Sequence, residues 1–152
     1  MNWKITAAAL LVLPVAAIAA DTVQLKPGRW EVQSATSAAS NGRAIPPAFV
    51  PNTPPAYRCL SPATAANPTG YFLKATNCGA PEGRAEGGNI RLKTRCTSPN
   101  GVKISMDVSG TYTSDSYDVV TRSIGKLKGV TLDTTFHDRA RYVGPCQGDE
   151  TG

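Results

Sequence analysis

A single histidine, four cysteines and a run of alternating basic residues are the side chains in this sequence with chemistry to offer. His137 stands next to Asp138 in a stretch whose alternating pattern predicts a strand. Neighbours on a strand point to opposite faces, so adjacency cannot make these two an orienting pair. Asp133 shares the face of His137, but four residues along a strand span about 13 Å, beyond any direct hydrogen bond. Serines are plentiful, yet no Gly-x-Ser-x-Gly elbow is present. The sequence also lacks a P-loop and a Gly-x-Gly-x-x-Gly fingerprint. Carboxylates are scattered, with no sign of the facing pair that glycoside hydrolysis uses. The expectation is no catalytic residue and no cofactor. If the chain is a hydrolase or isomerase, His137 is the residue to act.

Cys59, Cys78, Cys96 and Cys146 are too widely spaced for zinc, whose ligand pairs usually sit two to four residues apart. No metal site is expected. An even number of cysteines in a small exported domain reads as two disulfides. Four cysteines allow three connectivities. The favoured pairs are Cys59–Cys78 and Cys96–Cys146. The first would staple a stretch rich in Pro and Gly, and the second would tie the first strand of a C-terminal sheet to the end of its last. Loop closure makes each worth roughly 3–4 kcal/mol.

The third feature is a basic strand face. Arg91, Lys93 and Arg95 alternate with Ile90, Leu92 and Cys96, and Arg139 and Arg141 alternate with Ala140 and Tyr142. With Cys96 bonded to Cys146, the two strands would lie close at one end. Arg91, Lys93, Arg95, Arg139 and Arg141 would then gather into one anion-binding face, since guanidinium groups hold carboxylate and phosphate bidentately. The alternative is an ordinary solvated face whose charges guard the sheet.

These residues need elements to position them. Lys26-Pro27-Gly28 is a turn signal, followed by a strand over 29–34 with Trp30 and Val32 facing the core. From 38 to 56 the chain is crowded with proline, which removes backbone donors and excludes helix or central strand. Segment 43–55 is read as an extended loop, a partner-binding strap or a plain connection. Ser61-Pro62 starts a short helix, with Ser as N-cap and Pro at its first position, and Asn67-Pro68 ends it. Residues 77–89 read as a glycine-rich loop. Val102, Ile104, Met106 and Val108 then alternate with polar residues. A strand over 117–123 and a long last strand from Val130, carrying Leu132, Thr134, Phe136, Ala140 and Tyr142 on one face, follow. Period-two alternation with turns about every ten residues predicts an antiparallel meander with one wet face. The fold class is therefore mainly β, an antiparallel meander or curved sheet with one short helix and a Pro-rich loop, closed by two disulfides.

Ahead of this domain, Met1 to Lys4 carries one positive charge and an apolar run from Ile5 to Ala20 follows. Ala17 and Ala19 supply the small residues of a peptidase site, so residues 1–19 read as a signal peptide cleaved after Ala19 or Ala20. The run is too short, and too interrupted by Pro14, for a spanning helix of roughly 20 apolar residues. No cysteine near the cleavage point could take a lipid, so the protein is expected to be exported but not a lipoprotein. Residues 20–152 form a single domain. Of 16 basic and 11 acidic residues the leader takes only Lys4, leaving 15 − 11 = +4. That mild charge gives no reason to expect a nucleic-acid partner.

Four fragments in order resemble a bacterial family of exported proteins, the DUF3617 domain proteins. They are Leu25-Lys26-Pro27-Gly28-Arg29-Trp30-Glu31, Cys59-Leu60-Ser61-Pro62, Asn77-Cys78 ahead of a strand ending in Cys96, and Ala140-Arg141-Tyr142-Val143-Gly144-Pro145-Cys146. The resemblance implies an antiparallel sheet and a mostly periplasmic location in Gram-negative bacteria. It brings no catalytic residues. Relatives often carry a longer segment rich in Met and Gln before the first cysteine, where this chain is short and Pro-rich.

The sequence thus points to a periplasmic, non-enzymatic binding or interaction module, whose partner is an anionic envelope component or another periplasmic protein. Its rivals are a scaffold without a ligand of its own, presenting Phe49, Tyr71, Phe72 and the Pro-rich strap, and the His137-dependent enzyme. A fourth reading is a half-barrel holding an apolar ligand among Trp30, Met106, Phe136 and Tyr142.

Overall fold

The computed structural model describes residues 23–50, 53–73 and 77–150. The expected leader and its cleavage point lie outside these residues. Eight strands and two short helices follow in the order β1 (Gly28–Ser40), β2 (Arg43–Ala44), β3 (Ala56–Leu60), α1 (Pro62–Ala65), α2 (Pro68–Phe72), β4 (Glu82–Glu86), β5 (Asn89–Thr97), β6 (Lys103–Tyr112), β7 (Ser116–Leu127) and β8 (Val130–Gly144). They build one antiparallel sheet in the order β2-β1-β8-β7-β6-β5-β4, with β3 also paired to β1. The meander from β5 to β8 is the one the alternation predicts. The first strand is much longer than its hydrophobic start suggested, because β1 pairs with β8 from end to end.

One face of the sheet carries Trp30, Val32, Ile90, Leu92, Val108, Tyr112, Tyr117, Val119 and Ala140, all buried. The segment from β3 through α2 crosses this face at one end. Tyr71 and Phe72 of α2 stack edge-on against Tyr117, and Trp30 lies 5.6 Å from the same ring. The indole Nε1 of Trp30 donates to the carbonyl of Lys26 at 2.9 Å, so the core aromatic also fastens the entering turn. Gly28 holds that turn at φ +133, where a Cβ would meet the Tyr142 ring at 2.7 Å. Only glycine fits this approach.

Ser61 caps α1 as its sequence requires, its hydroxyl accepting from the Thr64 amide at 3.1 Å. The helix ends ahead of Asn67-Pro68 as expected, and the same pair then begins a second helix that was not expected. Asn67 accepts from the Gly70 amide and Pro68 occupies the first turn, where its missing donor costs nothing. The supposed loop over 77–89 contains β4, an edge strand paired to β5. Among its described residues the Pro-rich segment opens with β2, paired to the end of β1, and then makes a 3₁₀ turn, Pro47–Phe49.

The disulfides correct the expected pairing. Cys59 bonds Cys146, and Cys78 bonds Cys96. The strand order explains why. Two strands separate β5 from β8, and Cys96 lies at the end of β5 remote from the end of β8 that leads to Cys146. Arg29 of β1, by contrast, pairs with Cys59 on one side and Gly144 on the other, which brings Cys59 and Cys146 together around β1. Cys78 reaches the opposite edge, forming a β-bridge with Cys96.

Candidate functional site

The sheet has a covered half and an uncovered half. Along β8 the core-facing residues run Tyr142, Ala140, Asp138, Phe136, Thr134, Leu132, Val130. The helices lie over the first of these and stop. Ala140 is buried, whereas Phe136, Leu132 and Val130 remain 39%, 47% and 45% exposed. The facing strand repeats the pattern, with buried Tyr117 and Val119 at one end and Leu127, 49% exposed, at the other.

The result is an apolar groove of about 630 Å³. Its walls are Val102 and Ile104 of the β6 side and Leu127, Val130, Leu132 and Phe136 of the β7–β8 hairpin. Gly125 lies between Leu132 and Ile104 in register and leaves the floor without a side chain. A Cβ there would meet only ordinary contacts, Ile104 at 3.5 Å and Val102 at 3.6 Å. Glycine inside a strand often marks a close approach by another group. The volume falls in the range of small-molecule sites, which are concave and mostly apolar with few polar groups. The one charged side chain lining this groove is Lys128, at the β7–β8 turn.

Beyond Phe136 the face turns polar under α2. A pocket of about 160 Å³ there is lined by Arg58, Tyr71, Tyr117, Thr121 and Asp138 among others. Asp138 accepts from the Ser34 hydroxyl at 2.5 Å, and the Tyr71 and Tyr117 hydroxyls lie 3.0 Å apart. Burial is the main cause that pushes both phenols above their ordinary pKa, most strongly Tyr117. Phenols held protonated in this way act as hydrogen-bonding groups, not as bases.

The basic residues singled out in the sequence lie on the other face, in two groups. Arg91, Lys93 and Arg95 project from β5, and Arg139 and Arg141 from β8. Three sheet steps between β5 and β8 amount to about 14 Å, so the five do not gather into one patch. The correction follows from the disulfide pairing, since the gathering required Cys96 to meet Cys146. Three of the five are also matched by carboxylates: Lys93 with Asp107 at 3.3 Å, Arg139 with Asp118 at 3.1 Å and Arg141 with Glu31 at 2.6 Å. Arg122 and Asp133 form a fourth pair on this face.

His137 also lies on that face. Its partner is neither Asp133 nor Asp138 but Asp118 of β7, with Nε2 2.6 Å from a carboxylate oxygen. The contact with His137, followed by that with Arg139, holds Asp118 below the usual carboxylate pKa. The register puts Val120 and then Ser109 beside His137, so that serine is two strands off, about 9.6 Å. Imidazole and carboxylate are brought together here without a nucleophile between them. Of the four residues in the apolar-ligand reading only Phe136 lines the groove, and Met106 lies at the polar pocket under α2. Trp30 and Tyr142, the other two residues of that reading, are in or against the core.

The sequence profile of DUF3617, described as a protein of unknown function, matches residues 25–146. The chain belongs to the DUF3617 family. No curated protein and no solved structure matches it. The matched span begins at Leu25 of the core and ends at Cys146. It therefore takes in both disulfides and the whole groove, so the groove is built within the family domain.

Proposed function

We propose that this DUF3617 protein is an exported, periplasmic binding module without catalytic activity, and that its groove takes the hydrocarbon chain of an anionic amphiphile. The observation that carries this reading is the groove itself, where four large apolar side chains stay open to solvent on an otherwise core-forming face. A concave, mostly apolar cavity of this volume with few polar groups is the usual setting of a small-molecule site. Lys128, alone among charged lining residues, gives the chain's head group an anionic preference. Export rests on the leader pattern of residues 1–19 and on the two disulfides, which persist in oxidising compartments.

The test is the binding of parinaric acid, a fluorescent long-chain fatty acid, by the purified oxidised protein. Saturable uptake is expected. Gly125→Val plants a branched side chain on the groove floor without a backbone clash. Losing about 1.5–3 kcal/mol of apolar contact weakens uptake about tenfold or more, with the unfolding midpoint unchanged. Uptake by the variant equal to that of the parent would refute the groove as the site. The same purification, followed by amino-terminal sequencing, tests cleavage after Ala19 or Ala20.

A second reading, contact with another envelope protein through segment 43–55, is favoured by Phe49. This ring is 79% exposed on the 3₁₀ turn. Phe49→Ala should remove crosslinks to neighbours while leaving fatty-acid uptake intact.

A further inference from the structure

Three turns lie at the groove end of the sheet: the β1–β2 turn at Asn41-Gly42, the β5–β6 loop over 98–102, and the β7–β8 turn at Lys128-Gly129, the last two of which line the groove. The first is tied to the third, since Asn41 exchanges hydrogen bonds with Thr131 through its amide and its side chain, each at 2.8 Å. Within residues 40–45, 98–103 and 125–132 there are four cations, Arg43, Lys103, Lys126 and Lys128, and no acid. All four are exposed, and none has a carboxylate partner among the described residues. The opposite end of the sheet differs. There Lys26 pairs with Asp115, and Arg29 with Asp149 and Glu150.

Apolar groups accompany these charges. Leu127 and Val130 flank the β7–β8 turn, each nearly half exposed. Lys128 itself sits at φ 48 and Gly129 at φ 85, the two-residue hairpin geometry that favours Asn-Gly. A lysine is thus held at the apex of the turn in a conformation its side chain does not favour.

We infer that this end of the sheet docks on an anionic phospholipid bilayer, the four cations engaging head groups while Leu127 and Val130 enter the interface. Cations without carboxylate partners around exposed apolar side chains match such a surface in both charge and polarity. The inference rests on the groove reading and deepens it. The groove lies at the docked end, so a lipid chain passes from the bilayer into it without crossing water.

The experiment is co-sedimentation of the purified oxidised protein with vesicles of phosphatidylglycerol mixed with phosphatidylcholine, and with vesicles of phosphatidylcholine alone. Binding is expected only to the first, and it falls as salt is raised. The variant Arg43→Gln/Lys103→Gln/Lys126→Gln leaves the groove lining untouched. Each cation near an anionic surface is worth about fivefold in partition, so the triple change should lower it on the order of a hundredfold while parinaric acid uptake persists. Gly125→Val should do the reverse, keeping vesicle binding and losing uptake. Equal binding to neutral vesicles, or unchanged partition of the triple variant, overturns the docking alone. A dimer in sedimentation velocity that the triple variant abolishes would also overturn it, by assigning the cationic end to a second copy. Absent uptake with intact charge-dependent sedimentation would instead remove the groove reading.

Discussion

Replacing the two cysteines of one disulfide by alanine should leave the other bond fully formed, and the cost should differ between the two. Cys59 and Cys146 are 87 residues apart, and Cys78 and Cys96 are 18 apart. Loop-closure entropy makes the longer bond worth about 4.6 kcal/mol and the shorter about 3.2 kcal/mol. Cys59→Ala/Cys146→Ala should therefore destabilise the domain by about 1.4 kcal/mol more than Cys78→Ala/Cys96→Ala. The assay is guanidinium unfolding read by tryptophan fluorescence. Trp30 is the one tryptophan outside the expected leader, and it stacks on Tyr117 in the core. The sharper readout is thiol titration of each native double variant. No free thiol is expected in either, because the two remaining cysteines are partners. Under either other connectivity each variant would strand two thiols. A count of two would refute the strand-order argument, and with it the separation of β5 from β8 that divides the basic residues.

Two further outcomes follow from particular residues. Lys128→Asn should stabilise the fold by up to about 1 kcal/mol, since asparagine tolerates the left-handed backbone that lysine occupies at φ 48. The same change should weaken fatty-acid uptake, a combination that thermal melts and parinaric acid titration would register together. Acid should destabilise the domain. Asp118 is held below its usual pKa by His137 first and by Arg139, so its contribution is present above the unfolded-state pKa, near 4. It is lost as pH falls through the lower folded-state pKa. Asp118→Asn should flatten the acid limb of a plot of melting temperature against pH, and an unchanged limb would remove this carboxylate from the account.

Local features alone followed from the order of the residues. Ser61-Pro62 specified a helix start because a hydroxyl cap and a missing donor suit those two positions. Strict alternation over 90–96 and 102–112 specified strands and told which side chains face inward, since successive residues on a strand have no other choice. Asn67-Pro68 shows the limit even of local rules, because a proline that cannot continue one helix is well suited to open the next. The partner of each cysteine, and which charges lie together, depended on strand order, and strand order is set by pairings between residues far apart in the chain. Arg29 finds Gly144, and Ala35 finds His137, only once β1 lies beside β8. The groove was decided at the same level. Phe136 and Tyr142 carry the same alternation signal, but the aromatic cover of α2 reaches one end of the sheet and not the other. One of them packs against the core and the other is left open beside Leu132 and Val130. Periodicity fixes which face a side chain takes, and only packing fixes whether anything covers it.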